Sequence, residues 1–160
     1  MPALLDLHRR VTSVPLVGDR LFSFAFARQA PYFATVRPRF TLLEANHAEL
    51  VIRNRRRVHN HIGTIHAIAL CNGLEAAMGA IAEATVPANK RWIPKGMDVS
   101  YRAKAIGDVI CVAETDAEQW SGDDRDLHVR VKGVRTDGTV VIEGVIRLWV
   151  TDKPAAKTVG

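Results

Sequence analysis

The longest uninterrupted apolar pattern in the chain runs from residue 67 to residue 84. This stretch has no proline and many alanines, which predicts a helix. Leu70, Leu74 and Ile81 lie on one face of that helix, and Cys71 and Met78 lie on another. A helix that is apolar nearly all round is a buried one. We therefore expect residues 67–84 to form the core helix of the protein.

Two apolar pieces precede this core. Residues 3–12 have the spacing of a short amphipathic helix, and Ser13-Val-Pro breaks it because the residue before a proline is disfavoured in helical geometry. Residues 16–28 also suit a helix, but the alternation of Phe22, Phe24 and Phe26 would suit a strand as well. Both pieces are predicted to cover a larger unit.

The remaining apolar segments alternate with polar residues and predict a sheet. The predicted strands are 40–45, 48–54, 91–105, 108–117, 127–136 and 140–151. A turn at Asn46-His47 joins the first two, and the dipeptides Gly107-Asp108 and Asp137-Gly138 predict hairpins between later pairs. One long helix can cover only one face of a sheet, so the chain is predicted to be a single α+β domain. Its parts are an N-terminal helical cover (1–37), a core (38–152) and a flexible tail (153–160).

Composition limits the classes of protein that fit. The chain has 160 residues and a net charge of +5, which favours anionic partners without choosing among them. Charged residues interrupt its N-terminus, and no run of about 18 apolar residues is present, so we expect a cytoplasmic protein without a signal peptide or a membrane partner. Cys71 and Cys111 lie in apolar runs and are expected to be free thiols.

One charge is out of place in the predicted core helix. Glu75 falls between Cys71, Met78 and Gly79 on an otherwise apolar face. An ionised carboxylate in such a place is unfavourable unless it is paired, neutralised or functional. Glu75 is therefore the first candidate for chemistry, against the alternative of a structural carboxylate satisfied by a neighbouring arginine or backbone group.

Residues at the start of the helix, inside it and on the following strand together resemble the hotdog-fold acyl-CoA thioesterases. The matching positions are Asn60, Gly63, His66-Ala67, Glu75 and the segment 97–108. The resemblance is to the phenylacetate-pathway and 4-hydroxybenzoyl-CoA types, and more narrowly to an uncharacterised bacterial branch. It implies a hotdog fold, in which a curved antiparallel sheet wraps around one long central helix, here with an N-terminal helical extension.

The resemblance also implies roles for these residues. The backbone N–H of Ala67 would polarise the thioester carbonyl, Glu75 would be the base or nucleophile, Asn60 would orient water or the carbonyl, and His66 would hold the loop. Gly63, Ile68 and Gly79 are at positions expected to surround the substrate. Ile68 replaces the second glycine that the family often has after the histidine, and Gly79 replaces a hydroxyl residue of the benzoyl-type enzymes. No cofactor is implied beyond the coenzyme A part of the substrate.

The spacing of Ala67 and Glu75 predicts a dimer. Eight residues of helix separate them by roughly 12 Å at about 1.5 Å per residue, so one acyl carbon cannot contact both groups of one chain. If both act, they come from two subunits of a homodimer, alone or within a tetramer. The resemblance implies the same arrangement, with sheets joined edge to edge.

Several alternatives remain open. A non-catalytic acyl-CoA or lipid-binding hotdog protein would use Glu75 structurally, Asn60 could brace its loop, and a structural role for His66 is favoured. A metal site is disfavoured because the histidines have no known ligand spacing. Basic residues could hold coenzyme A phosphates or face solvent, whereas no interleaved aromatics support a nucleic-acid site. The candidates are Lys90, Arg91, Arg102, Lys104 and the cluster Arg53, Arg55, Arg56 and Arg57.

Overall fold

Six antiparallel strands form one sheet that curves around a long helix. The computed structural model describes residues 3–14, 17–121 and 125–154. The strands are β1 (Arg39–Glu44), β2 (His47–Ile52), β3 (Lys90–Tyr101), β4 (Val109–Glu114), β5 (Asp126–Arg135) and β6 (Val140–Asp152). The helices are α1 (Ala3–Thr12), α2 (Gly18–Gln29), α3 (Ala67–Thr85) and α4 (Ala117–Ser121), with 3-10 turns at Pro31–Thr35 and Arg56–Val58. The order in the sheet is β1-β2-β4-β5-β6-β3, and the predicted α+β architecture is confirmed.

The core lies between α3 and the enclosing face of the sheet. Leu74, Met78 and Ile81 of α3 are almost fully buried. A Cβ atom added to Gly73 would collide with the side chains of Ile52 and Cys111, so α3 and the sheet approach each other closely at this point. By length and composition α3 could span a membrane, but most of it is buried inside the protein, as expected for a core helix.

The predicted N-terminal helical extension is present, and its ambiguous phenylalanines are helical. Phe22 and Phe26 lie one helical turn apart on α2, and their rings contact Phe40 of β1 at centroid distances of 5.4 and 4.9 Å. Phe24 lies on the opposite side of α2 and is 62% exposed. The alternation in sequence therefore reflects two faces of a helix, because only the face toward β1 is buried. The predicted start of this helix at Leu16 lies outside the described residues.

The predicted hairpin at Gly107-Asp108 is wrong. Strand β3 pairs with β6 over its whole length, whereas β4 pairs with β2 and β5. The connection between β3 and β4 is instead hydrogen-bonded to the loop before α3, because the Ile65 N–H donates to the Ala105 carbonyl at 3.1 Å. Gly107 has a φ of +83° and does turn the chain, but a turn dipeptide specifies only a local reversal. The hairpin at Asp137-Gly138, between β5 and β6, is confirmed.

A short helix that the sequence did not predict follows β4. The predicted strand 108–117 ends at Glu114, and α4 begins at Ala117. Trp120 of α4 is buried, and its indole N–H donates to the Thr115 hydroxyl at 3.0 Å. This contact joins α4 to the residue that follows β4. The predicted tail comprises residues 153–160. Its residues 155–160 lie outside the described residues.

Both cysteines are free, and they differ in environment. Cys111 is fully buried, and this burial raises the pKa of its thiol, which keeps it protonated and unreactive. Cys71 is half-buried, with its sulfur 3.8 Å from the Tyr101 hydroxyl oxygen. This contact raises the pKa of Tyr101.

Candidate active site

The start of α3 presents a free backbone donor. His66 is the N-cap, and its Nδ1 accepts a hydrogen bond from the Ile68 N–H at 3.1 Å. The His66 N–H in turn donates to the Val58 carbonyl at 2.7 Å. Within the described part of the chain, the Ala67 N–H has no acceptor. His66 therefore caps the first turn of α3, and Ala67 leaves one N–H available at the positive end of the helix dipole.

The loop before α3 is braced by Asn60. Its Oδ1 accepts from the N–H groups of Ile62 and Thr64, both at 3.1 Å, and its Nδ2 donates to the Thr64 hydroxyl at 2.9 Å. Gly63 has a φ of +79°, which glycine adopts without strain, and closes this loop. The amide of Asn60 is thus engaged in the loop, and its predicted role in orienting water or the carbonyl stays a prediction.

Glu75 is a half-buried carboxylate in the middle of α3. No hydrogen bond or ion pair joins it to any residue in the ranges 3–14, 17–121 and 125–154. The other acid of α3, Glu83, contrasts with it, because Glu83 accepts a hydrogen bond from the Trp92 indole at 2.9 Å. The structural alternative required a partner for Glu75 within its own chain, and the described residues provide none.

Two clefts meet at Glu75. The first has a volume of about 430 Å³ and runs from Ile68, near the start of α3, along the helix to Glu75. The second has a volume of about 470 Å³ and extends from Glu75 under the N-terminal helices. Apolar side chains dominate the second cleft, including Leu4, Leu7, Phe26, Phe33, Met78 and Trp92. The carboxylate therefore lies at the junction of two clefts, both of which are lined mainly by apolar surface.

The helix separates the two groups that were predicted to act together. Ala67 and Glu75 belong to one continuous helix, so the rise of roughly 12 Å between them applies to this protein. Both can contact one acyl carbon only if they come from different subunits.

The other predicted substrate-binding residues fall into two groups. Ile68 is 56% exposed and lines the first cleft, and Gly79 lines the second. Neither cleft is lined by Gly63 or by the three predicted basic residues. Of these bases, Arg91 donates to the Thr151 hydroxyl and Arg102 forms an ion pair with Glu143 at 2.8 Å, while Lys104 is exposed.

Sequence reasoning missed Asn72, which lies one turn before Glu75 and lines the same first cleft. Asn72 is 6% exposed, and its Nδ2 donates to the Tyr32 carbonyl at 3.3 Å and to the Thr35 hydroxyl at 3.2 Å. Its Oδ1 is buried without a partner among the described residues. A signal was present in the sequence, because Asn72 is a second polar residue at i−3 from Glu75, on the same helical face.

The comparisons with known proteins concern the family and the fold of the chain. A family model described as "Domain of unknown function (DUF4442)" matches residues 18–150. A structural-genomics protein, APC5556, is 39% identical with a TM-score of 0.81, over 94% of this chain and 99% of that one. No curated protein matches the sequence.

Two more distant structures share the fold. PA5026 from Pseudomonas aeruginosa, described as a probable thioesterase, is 22% identical with a TM-score of 0.73, over 88% of this chain and 97% of that one. A thioesterase family protein from Silicibacter pomeroyi is 20% identical with a TM-score of 0.66, over 81% and 95% of the two chains. The predicted hotdog fold, and with it the resemblance to hotdog-fold proteins, are thereby confirmed.

Proposed function

The chain belongs to the DUF4442 family, and we propose that it hydrolyses an acyl thioester, with coenzyme A as the thiol part of the substrate. The observation that carries the proposal is Glu75, a half-buried carboxylate without a partner among the described residues, at the junction of two clefts. A mostly buried helix gains no stability from such a group, whereas a base or nucleophile needs a free carboxylate beside the substrate.

The mechanism requires a donor for the developing oxyanion. We assign this role to the Ala67 N–H, because it is free and lies at the helix terminus where the dipole favours negative charge. Glu75 then activates water for attack on the acyl carbon, or attacks that carbon itself and releases the thiol before water hydrolyses the acyl-enzyme. Asn72 lines the same cleft one turn before Glu75, and its amide nitrogen joins α3 to Tyr32 and Thr35.

A second subunit completes the site in this proposal. Strand β3 lies at an edge of the sheet, and Ile93 and Tyr101 of β3 are 60% and 56% exposed. Edge strands with exposed apolar residues invite pairing with another chain. Pairing of β3 with β3 of a second copy would give a two-fold dimer, in which Ala67 of one chain faces Glu75 of the other, alone or within a tetramer.

The two clefts suggest where each part of the substrate binds. The apolar second cleft suits the acyl group, and the first cleft, which opens near Ile68, suits the thioester and the pantetheine arm. Arg91, Arg102 and Lys104 remain the proposed contacts for the coenzyme A phosphates outside these clefts, with Gly63 shaping the loop beside the thioester. The cytoplasm, where acyl-CoA is available, is the proposed location.

The direct test is thiol release from acyl-CoA thioesters of graded chain length by the wild-type protein. We expect saturable turnover, with free thiol and acid produced in equal amounts. Saturable binding of acyl-CoA without turnover on any member of the series would contradict the proposal and favour the non-catalytic binding protein.

Gly79→Leu should shift the preference toward shorter acyl chains. A Cβ at this position would contact only Trp92, at 3.7 Å, so a larger side chain projects into the second cleft. Replacing a helical glycine also favours the helix, so no loss of stability is expected. We expect kcat/KM for the longest substrates to fall about tenfold or more relative to short ones.

Gly79→Ala is the matched control, because its methyl group fits the available space and should preserve the chain-length profile. An unchanged profile in Gly79→Leu would show that the acyl group does not occupy the second cleft.

A further inference from the structure

A third cleft, separate from those at Glu75, is lined by arginines from three parts of the chain. It has a volume of about 490 Å³ and lies between α2, the turn after the 3-10 helix Pro31–Thr35, and the segment after β2. We call it the arginine cleft; its basic residues are Arg20, Arg37, Arg39, Arg53 and Arg55. No acidic side chain lines it, and it shares no lining residue with either cleft at Glu75.

These five guanidinium groups are not neutralised by the described part of the protein. None of them forms an ion pair or a side-chain hydrogen bond with a described residue. The Nε of Arg39 is buried and has no acceptor there. A buried donor without an acceptor is unfavourable, and five like charges around one cavity repel one another. Both penalties are relieved by an anion in the cleft.

The walls of the cleft are held by the fold. Ser23 lines it, and its hydroxyl donates to the Asp19 carbonyl at 2.5 Å and accepts from the Phe40 N–H at 2.9 Å, which joins α2 to β1. Arg37, immediately before Pro38, has a φ of +51°, a left-handed conformation that is strained for a residue with a side chain. Strained backbone of this kind is often retained where it positions a functional group.

We propose that the arginine cleft binds the phosphate group of a phosphorylated small molecule or lipid headgroup. Several planar guanidinium groups can donate to the oxygens of one phosphate and balance its double negative charge. A single carboxylate has fewer oxygens and less charge, so it fits this set of arginines less well. Phe24, which is 62% exposed, lines the same cleft and offers an apolar face to the remainder of the ligand. The site is distinct from the thioester site and does not depend on the proposed hydrolysis.

The test compares two double variants that remove the same charge. Arg53→Gln/Arg55→Gln removes two exposed arginines of the cleft, and Arg10→Gln/Arg125→Gln removes two exposed arginines outside it. Titration calorimetry with inorganic phosphate and with ADP, and co-sedimentation with vesicles containing phosphatidic acid, measure binding by the full-length protein. We expect the cleft variant to bind at least about tenfold more weakly than the wild type and the control variant to bind like the wild type.

The probes also separate the sources of the phosphate. Cleft-dependent binding of phosphate or ADP assigns a soluble ligand, and cleft-dependent binding of vesicles alone assigns a lipid headgroup. Absence of binding to all three probes would overturn the proposal. Equal binding by the wild type and both double variants, or an equal loss in both variants, would also overturn it, because binding would then not depend on this cleft.

Discussion

Glu75→Gln is expected to reduce kcat/KM for thioester hydrolysis by at least about a hundredfold while the protein remains folded and its oligomeric state is unchanged. Glutamine keeps the size of the side chain and its place between the two clefts but can neither accept a proton nor attack the acyl carbon. Since no described residue pairs with Glu75, its replacement breaks no internal ion pair. Stability should therefore be unchanged or slightly higher, because a half-buried charge is removed.

The measurement is thiol release under single-turnover and steady-state conditions, together with thermal unfolding and mass by light scattering. Glu44→Gln is the control, because Glu44 is an exposed carboxylate of β1 outside both clefts. Retention of wild-type turnover by Glu75→Gln would remove Glu75 from the mechanism.

Ala67→Pro is expected to lower kcat by about a hundredfold to a thousandfold by deleting one oxyanion donor. Ala67 is the first residue of α3, where proline is well tolerated because its φ suits the helix and its missing N–H is not part of the helical ladder. His66 has φ −64° and ψ 138°, the extended conformation that a residue before proline prefers. The variant should therefore fold, so that the loss reports on the donor.

Ala67→Ser retains the backbone N–H and serves as the control. It should keep activity within a few-fold of the wild type, because only the side chain changes. Full activity in Ala67→Pro would show that the carbonyl is polarised by another group.

A mixture of the two inactive variants tests whether the site spans two chains. In a mixed dimer of Glu75→Gln and Ala67→Pro, one site combines the intact Ala67 of the first chain with the intact Glu75 of the second. Random assembly from equal amounts should restore about a quarter of wild-type activity, since about half of the dimers are mixed and each has one intact site. No recovery from co-expressed chains would place both groups in one subunit.

The core helix shows what the periodicity of apolar residues can predict. Its predicted bounds, 67–84, agree with the observed Ala67–Thr85, because burial of most of the helix leaves an unambiguous apolar pattern. Phe24 shows the limit of the same reasoning. A short alternation fits a strand and a helix equally, and only the packing of Phe22 and Phe26 against β1 distinguishes them.

In the candidate site, too, one residue could be predicted from local sequence and another could not. Glu75 was predicted because a charge interrupts an apolar helix, which is a local feature. Asn72 was overlooked, although it interrupts the same helix, because its meaning depends on Tyr32 and Thr35, residues distant in sequence that occupy its amide nitrogen. The sequence marks Asn72 as a polar residue in an apolar helix, but which of its atoms have partners is known only once its neighbours are in place.

The sequence by itself determined most of the strands of this protein, its buried helix and the unusual carboxylate within it, because each follows from the spacing of apolar residues along a few turns or strands. Only the tertiary structure decided the strand order, which places β3 beside β6 and not beside β4. It also decided the meeting of two clefts at Glu75 and the assembly of arginines from residues 20 to 55 around a third. These features depend on which distant surfaces bury one another around α3, a choice that local periodicity does not encode.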